Sequence, residues 1–374
     1  MANIYLDYAA TSRKHFDIIE KNLNILKDIY ANPSSGHTLG KKNEKLFREA
    51  RERIAKSICA KPEEIIFTSG GTESNNTVFN HVLNRFDGGE IIISSIEHPS
   101  VKSSAKHLEK HGFVVHELSA GKAGIIDLEE LKQKINNNTI LVSVMLANNE
   151  TGMLNPLKEI SEIIRNKNIL LHSDIVQAFG KVEIDISDLN LDFASVSAHK
   201  IGALNNFGFL YAKNGEVEPF ILGGGQEHGL RSGTSDLLGT LVLADCIDET
   251  LKSISKLREL KNYFLDKLEE NQVEFEINGL KDNSLSNIMN IYFKKIESQR
   301  LITYLDSLNI YISGGSACSS GNIKGSRIIT EMYDIERASH SVRISIGFDI
   351  TKEDLDFVID KIVKLENRLK ERDN

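Results

Sequence analysis

The chain has 374 residues, 40% hydrophobic and 26% charged, with a formal net charge of -8. That balance is ordinary for a globular protein and excludes a fibre or a disordered chain. Its acidity argues against direct nucleic-acid binding, which needs a basic surface to neutralise phosphates. The longest apolar runs, such as Ile140 to Ala147 with Ser143 inside, are strand-length and far short of a bilayer span. The start, Met1 to Asp7, has no basic leader followed by an apolar stretch, so a cytoplasmic protein without a membrane segment is expected.

The length exceeds what one hydrophobic core usually organises, so two domains are expected. In chain order, strand-like runs fall at 64–68, 90–94, 113–118, 139–146, 169–171, 193–197 and 207–211. Helix-period segments alternate with the earlier ones at 72–83, 100–110, 127–135 and 156–165. This alternation predicts a mostly parallel α/β sheet. After Ser235 a long helical stretch runs to about Asn271, followed by a strand at 288–293, a helix near 298–308, a short strand around Arg343 and a closing helix from Lys352. We read that part as a smaller α+β domain. The expected division is a large domain over 16–255 and a small one built from 1–15 with 256–374.

Three cysteines without paired spacing make no disulfide framework. Cys59 continues the pattern Leu46, Ala50, Ile54, Ile58, and Cys246 lies in an apolar helical run, so both read as buried packing residues. Cys318 differs. It sits among small residues in Ser313-Gly314-Gly315-Ser316-Ala317-Cys318-Ser319-Ser320-Gly321, as suits a thiol that must reach into a site and carry something away.

The chemistry centres on Ser197-Ala198-His199-Lys200. A lysine closing an apolar run sits at a strand end, where desolvation frees its amine as a nucleophile. Asp174, after Ile169-Leu170-Leu171, ends another strand and suits a carboxylate that keeps a pyridinium nitrogen protonated. Alone, each is equally a surface lysine or a turn aspartate. Phe67-Thr68-Ser69-Gly70-Gly71-Thr72 is strand, glycine turn and helix start, a geometry that aims backbone amides at a phosphate, without the Gly-Lys-Ser/Thr of a Walker loop. His98, before Pro99, is placed to stack on an aromatic cofactor or simply to precede a helix. Asn149 ends a further strand, and the glycine-dense segment from Gly223 to Thr234 offers a second phosphate contact. Arg343, within an apolar strand, needs a partner, either a substrate carboxylate or a structural acid. His107 and His111 have the spacing of a metal pair, but no further ligand accompanies them, so a solvated helix face is expected and no metal.

Together these blocks resemble the cysteine desulfurases, class V aminotransferase-like enzymes dependent on pyridoxal 5'-phosphate. The resemblance runs from Leu6-Asp7-Tyr8-Ala9-Ala10-Thr11 through Asn32-Pro33-Ser34-Ser35, Gly70 to Asn76, Glu97-His98, Asn148-Asn149-Glu150, Asp174 with Gln177, Ser197 to Lys200, Arg231 to Thr234 and Ser316 to Ser320, to Arg343. It implies an aspartate-aminotransferase-like fold with a mostly parallel seven-stranded sheet, and the branch with a long cysteine loop. It implies that Lys200 binds the cofactor aldehyde and moves protons, that His98 stacks on the ring, that Asp174 holds the pyridine nitrogen and that Gln177 holds the phenolic oxygen. Gly71, Thr72, Ser197 and His199 would hold the phosphate, joined by Thr234 from the other subunit of a homodimer. Asn149 and Arg343 would grip the carboxylate of L-cysteine, and Cys318 would take its sulfur as a persulfide for a protein acceptor, leaving alanine.

The chain also departs from the family pattern. Ala203-Leu204-Asn205-Asn206 replaces a Gly-Pro-Lys-Gly turn, His228 and Phe348 stand where arginine is usual, and Ser235-Asp236 is altered. The chain ends at Asn374 without the longer tail with which similar enzymes dock an iron-sulfur scaffold, so a tRNA-thiolation protein is an alternative acceptor. Two other readings stay open on the sequence: a related lyase or aminotransferase, such as a selenocysteine lyase, and a non-catalytic relative kept as a binding partner.

Overall fold

The computed structural model describes residues 3–315 and 325–373. Strand β1 (Ile4–Tyr5) and helices α1 (Phe16–Asp28) and α2 (Thr38–Lys56) come first. Strand and helix then alternate through β2 (Ile65–Thr68), α3 (Gly71–Arg85), β3 (Glu90–Ser94), α4 (Pro99–Glu109), β4 (Val114–Leu118), α5 (Leu128–Lys134), β5 (Thr139–Ser143), α6 (Leu157–Ile164), β6 (Leu170–Asp174), α7 (Ile186–Leu189), β7 (Phe193–Ser197) and β8 (Gly208–Ala212). Strands β2 to β8 form one seven-stranded sheet in the order β2-β8-β7-β6-β5-β3-β4. Strand β8 runs antiparallel to both its neighbours, and every other pairing is parallel. The two reversals at β8 cancel, so β2, β3, β5, β6 and β7 all end at one edge of the sheet. Strands covered by helices on both faces are apolar on both faces, as Ile91, Ile92 and Ile93 are, each at most 1% exposed. The sheet is the expected mostly parallel α/β architecture.

Helix α8 (Leu237–Glu270) leads into β9 (Phe275–Ile277), β10 (Ile288–Phe293), α9 (Ser298–Asp306), β11 (Ile310–Tyr311), α10 (Arg327–Met332), α11 (Ile335–Ser339), β12 (Ser341–Ser345) and α12 (Lys352–Asp373). Strands β12-β10-β9 form an antiparallel sheet, and β1 pairs in parallel with β11. At about 1.5 Å per residue, α8 is roughly 50 Å long and serves two cores. Leu237 to Ile247 pack in the cluster around the large sheet, while Leu257 to Leu268 pack with Ile4, Leu6, Tyr8 and the residues of β10 and β12.

The first residues of the chain tie the two cores together. Leu6 N donates to Tyr311 O, Ser345 N to Leu6 O and Ala9 N to Ser345 Oγ, at 2.8, 2.8 and 2.9 Å. Residues 6–10 are thereby laid along the edge where the large sheet's strands end.

Three local expectations need correction. Cys59 is not a buried helical residue: α2 stops at Lys56, the chain turns left-handed at Cys59 (φ 58°), and its thiol is exposed. The strand expected over 139–146 is regular only to Ser143, although Val144 N and Leu146 N still donate to His172 O and Asp174 O of the neighbouring strand. Strand β6 runs on to Asp174, which is its last residue rather than one after it. Among the described residues no helix is long and apolar enough to cross a membrane.

Candidate active site

At the shared strand edge lies a cavity of about 560 Å³. Every residue the sequence nominated for cofactor or substrate lines it, except Thr234 and Cys318. Thr234 is exposed and away from the cavity of its own chain. Cys318 lies outside the described residues.

The phosphate end is set by the turn after β2. Gly70, the N-cap of α3, has φ 134°, a conformation L side chains avoid, and a Cβ on Gly71 would come within 2.8 Å of Val176 Cγ2. Helix α3 starts there, and the first amides of a helix have no intrahelical partner, so they face the cavity as anion donors alongside the Thr72 and Ser197 hydroxyls. The turn is braced from behind: Ser69 N donates to Glu73 Oε2 at 2.7 Å, and Arg231 pairs with Glu73 at 2.8 Å.

Lys200 stands in a 3-10 turn, Ala198–Ile201, just after β7. Its Nζ donates to Ala9 O and Ala10 O at 2.6 and 2.7 Å, and Ser12 Oγ donates to its backbone carbonyl at 2.9 Å. The turn ends at Gly202 (φ 78°), where any Cβ would meet His15 Cδ2 at 2.5 Å. Across the cavity Asp174, only 5% exposed, accepts from Asn75 Nδ2 at 2.9 Å and from Val176 N at 3.0 Å. Asn75 Nδ2 also donates to Ser100 Oγ, which sits 2.7 Å from His98 Nδ1. Asp174 and His98 therefore belong to one buried hydrogen-bonded chain. His98 is the N-cap of α4, so its capping role and its position on the cavity coincide.

The imidazoles are held neutral. Burial pushes His98 below its ordinary range, Lys200 adds to that, and the Asp174 charge opposes it. Burial takes His199 down to about 3, reinforced by the nearby Lys200 and Lys14 charges, and its Nδ1 lies 3.1 Å from Thr11 Oγ1.

At the far end Arg343 is 1% exposed. Its Nη2 donates to Asp7 Oδ1 at 2.6 Å and its Nη1 to Asn149 O at 2.9 Å, while its Nε is buried with no partner among the described residues. Both possibilities left open by the sequence thus meet at one residue: an acid is paired with it, and one donor is left over.

Several residues here were missed by sequence reasoning. Asp7 and Asn75 lay inside noted blocks without a role, and Lys181 was passed over although it follows Phe179-Gly180 in an apolar setting. Of the departures, Asn205 and Asn206 line the cavity, with Asn206 left-handed (φ 54°). His228 is left-handed (φ 58°) at an exposed turn, and the Phe348 ring stacks on His15 with centroids 4.1 Å apart. The His107 and His111 rings meet edge to face with centroids 4.6 Å apart, and among the described residues no group of three metal-ligating side chains exists.

A carboxylate at one strand end, an amine at the next and a glycine cradle for an anion define a class of enzyme, and the chain belongs to the class V aminotransferases, whose family profile matches residues 4–358. Within that class it is similar to the cysteine desulfurase IscS of Dictyoglomus turgidum, 37% identical over 98% of this chain and 95% of that one. Its fold is similar to a solved NifS-like protein (TM-score 0.89, 31% identity, 97% of this chain and 99% of that one). It is likewise similar to a structure described as SspA in complex with cysteine (TM-score 0.82, 32% identity, 92% and 98%). The activity is that of a pyridoxal phosphate-dependent cysteine desulfurase. The residues present fit that cofactor: the cradle at Gly70 and Gly71 admits no side chain, and a buried carboxylate and an amine line the same cavity.

Proposed function

We propose that Lys200 is the amine that binds the cofactor aldehyde, that Asp174 holds its pyridine nitrogen, that His98 covers its ring and that Gln177 reaches its phenolic oxygen. Bound there, the cofactor draws electron density away from the substrate α-carbon. The protein's part is placement and proton movement. Lys200, steered by the Ala9 and Ala10 carbonyls, takes the α-proton. Asp174, fixed by Asn75 and Val176 N, would hold the ring nitrogen. Gly71, Thr72, Ser197 and neutral His199 supply donors to the phosphate, and Asn149 with Arg343 supplies the carboxylate grip for L-cysteine. The Cys318 thiolate then takes the substrate sulfur as a persulfide, alanine is released, and a protein acceptor collects the sulfur.

The observation that carries this reading is the placement of Lys200 and Asp174 on one cavity, each tethered by its own hydrogen bonds. The exposed Thr234, on the same segment as the exposed Phe220 and Leu222, supports a homodimer in which Thr234 completes the partner's phosphate site. The acceptor is a tRNA-thiolation protein or an iron-sulfur scaffold, and the compartment is the cytoplasm. The test is alanine and persulfide formation from L-cysteine by the parent and by Cys318→Ala. The substitution should keep the visible colour of the bound cofactor and lose both products. Unchanged turnover in Cys318→Ala would favour the lyase or aminotransferase reading.

A further inference from the structure

Behind Gln177 lies a second lysine that the proposed chemistry does not use. Lys181, seven residues after Asp174, is 4% exposed, and its Nζ donates to Gln177 Oε1 at 3.2 Å. Gln177 Nε2 in turn donates to Ala9 O at 2.9 Å, the carbonyl that also accepts from Lys200. The two lysines are therefore joined through a single amide and a single carbonyl. A side-chain amide can usually be turned end for end, but here both neighbours fix it. Ala9 O only accepts, and an ammonium only donates. Gln177 has one allowed orientation, with its NH₂ on the Ala9 side. One Nε2 hydrogen is taken by Ala9, and the second remains for a group in the cavity that Gln177 lines.

A small cavity on the other side of Lys200 supports the arrangement. It measures about 30 Å³, the share of liquid volume that one water takes, and is lined by Lys181, Lys200, Tyr8, His15 and Asn287 among others. Asn287 Oδ1, in a side chain 2% exposed, has no hydrogen-bond partner among the described residues. A three-donor ammonium with one amide bond and an orphaned acceptor thus border a space of the right size for a bridging water.

We propose that Lys181 is a positioning residue for the cofactor, locking and polarising the Gln177 amide so that Nε2 presents its free hydrogen to the cofactor's phenolic oxygen. The inference rests on the reading of Gln177 given above. A donor whose carbonyl end accepts a hydrogen bond is a stronger donor. Burial, together with the nearby Lys200 and Arg343 charges, takes Lys181 itself down to about 7, so its contact is closer in strength to an ordinary hydrogen bond than to an ion pair.

The test is a titration of cofactor-stripped protein with pyridoxal phosphate, read by the visible absorbance of the bound form, for the parent, Lys181→Met, Gln177→Leu and the double variant. Each single change is expected to weaken binding about tenfold and to shift the absorbance maximum, with the double variant no weaker than Gln177→Leu. Independent losses that multiply in the double variant, or a Lys181→Met protein with the parent's affinity and spectrum, would overturn the proposal while leaving the role of Gln177 standing. A Gln177→Leu protein indistinguishable from the parent would overturn that role and the proposal with it. Should Lys181→Met not fold, Lys181→Arg and Lys181→Leu take its place. Arginine, which can donate to Gln177 Oε1, should titrate like the parent, and leucine, which cannot, should bind the cofactor more weakly; equal behaviour of the two would overturn the proposal.

Discussion

Arg343 Nη2 and Asp7 Oδ1 are joined at 2.6 Å across 336 residues of chain. The pair sets the last residue of the site against the first. On the proposed role of Arg343, its two duties, pairing with Asp7 and receiving a substrate carboxylate, are separable. Arg343→Lys loses the planar fork and is expected to raise KM for L-cysteine about 10- to 100-fold while the cofactor's colour is retained. Asp7→Ala leaves a buried guanidinium unpaired and should cost roughly 3–5 kcal/mol in denaturant unfolding. A purely structural pair would show the second effect without the first.

Glu97 is 1% exposed. Burial raises its carboxyl to about 8, against the pull of its bonds from Ser94 Oγ and Met145 N, and the Asp174 charge adds to the rise. It is therefore neutral near pH 7, and Glu97→Gln should keep the fold and the activity. An acid whose folded pKa lies above its unfolded one contributes its full stability below the unfolded value, near 4.5, and loses it as pH rises through about 8. The parent should lose stability between about pH 4.5 and 8, and Glu97→Gln should lose less, as measured by urea midpoints across that range.

His172, buried in the centre of the large sheet, lies between Ser143 Oγ and Ser195 Oγ at 2.8 and 3.1 Å, and burial takes its ring down to about 3. The unfolded chain binds this proton near pH 6.5 and the folded one does not. Stability is therefore complete above about pH 6.5 and falls as pH drops toward 3, by on the order of 3–5 kcal/mol if no other group intervenes. His172→Asn should flatten that part of the pH–stability curve, even if it lowers the curve as a whole.

Arg51 and Glu227 form a buried bidentate pair at 2.7 and 2.8 Å. Arg51 also lies 4.4 Å above the Phe67 ring, and Glu227 accepts from Phe67 N at 3.1 Å. Glu227 holds this pose at a left-handed φ of 49°. Glu227→Ala strands the guanidinium and is expected to cost about 3–5 kcal/mol. The same change should loosen the segment that carries Thr234, so limited proteolysis should cut the variant near residues 226–234 before the parent.

The strand ends that carry the site were legible because each strand opens on apolar residues and closes on polar ones, as at His172-Ser173-Asp174 and at Ser197. The glycine turn was legible because Gly-Gly-Thr closes a strand-like run and opens a helix-period one; alone it is also an ordinary strand-to-helix connection, and the other blocks gave it its meaning. Two classes of feature were not. Strands β1, β9 and β11 have two or three residues each, too few to show a period, and α1 buries only Ile18 and Asn22. The second class is the set of supporting groups. Asn75 is a polar residue within a helix whose purpose lies 99 residues away at Asp174, and Lys181 reads as a surface lysine until the fold closes over it. Such partners are chosen by topology, and local sequence carries no mark of them.

The clamp on Lys200 has a bearing on how the enzyme is made. By residue 212 a growing chain has every strand of the large sheet. Ala9 and Ala10, however, are brought to Lys200 by a segment pinned to Tyr311 and Ser345, which emerge much later. An unfinished chain thus carries the reactive amine without the carbonyls that aim it. On the proposed role of Lys200, a chain that stops before residue 311 should bind the cofactor more weakly than the full chain.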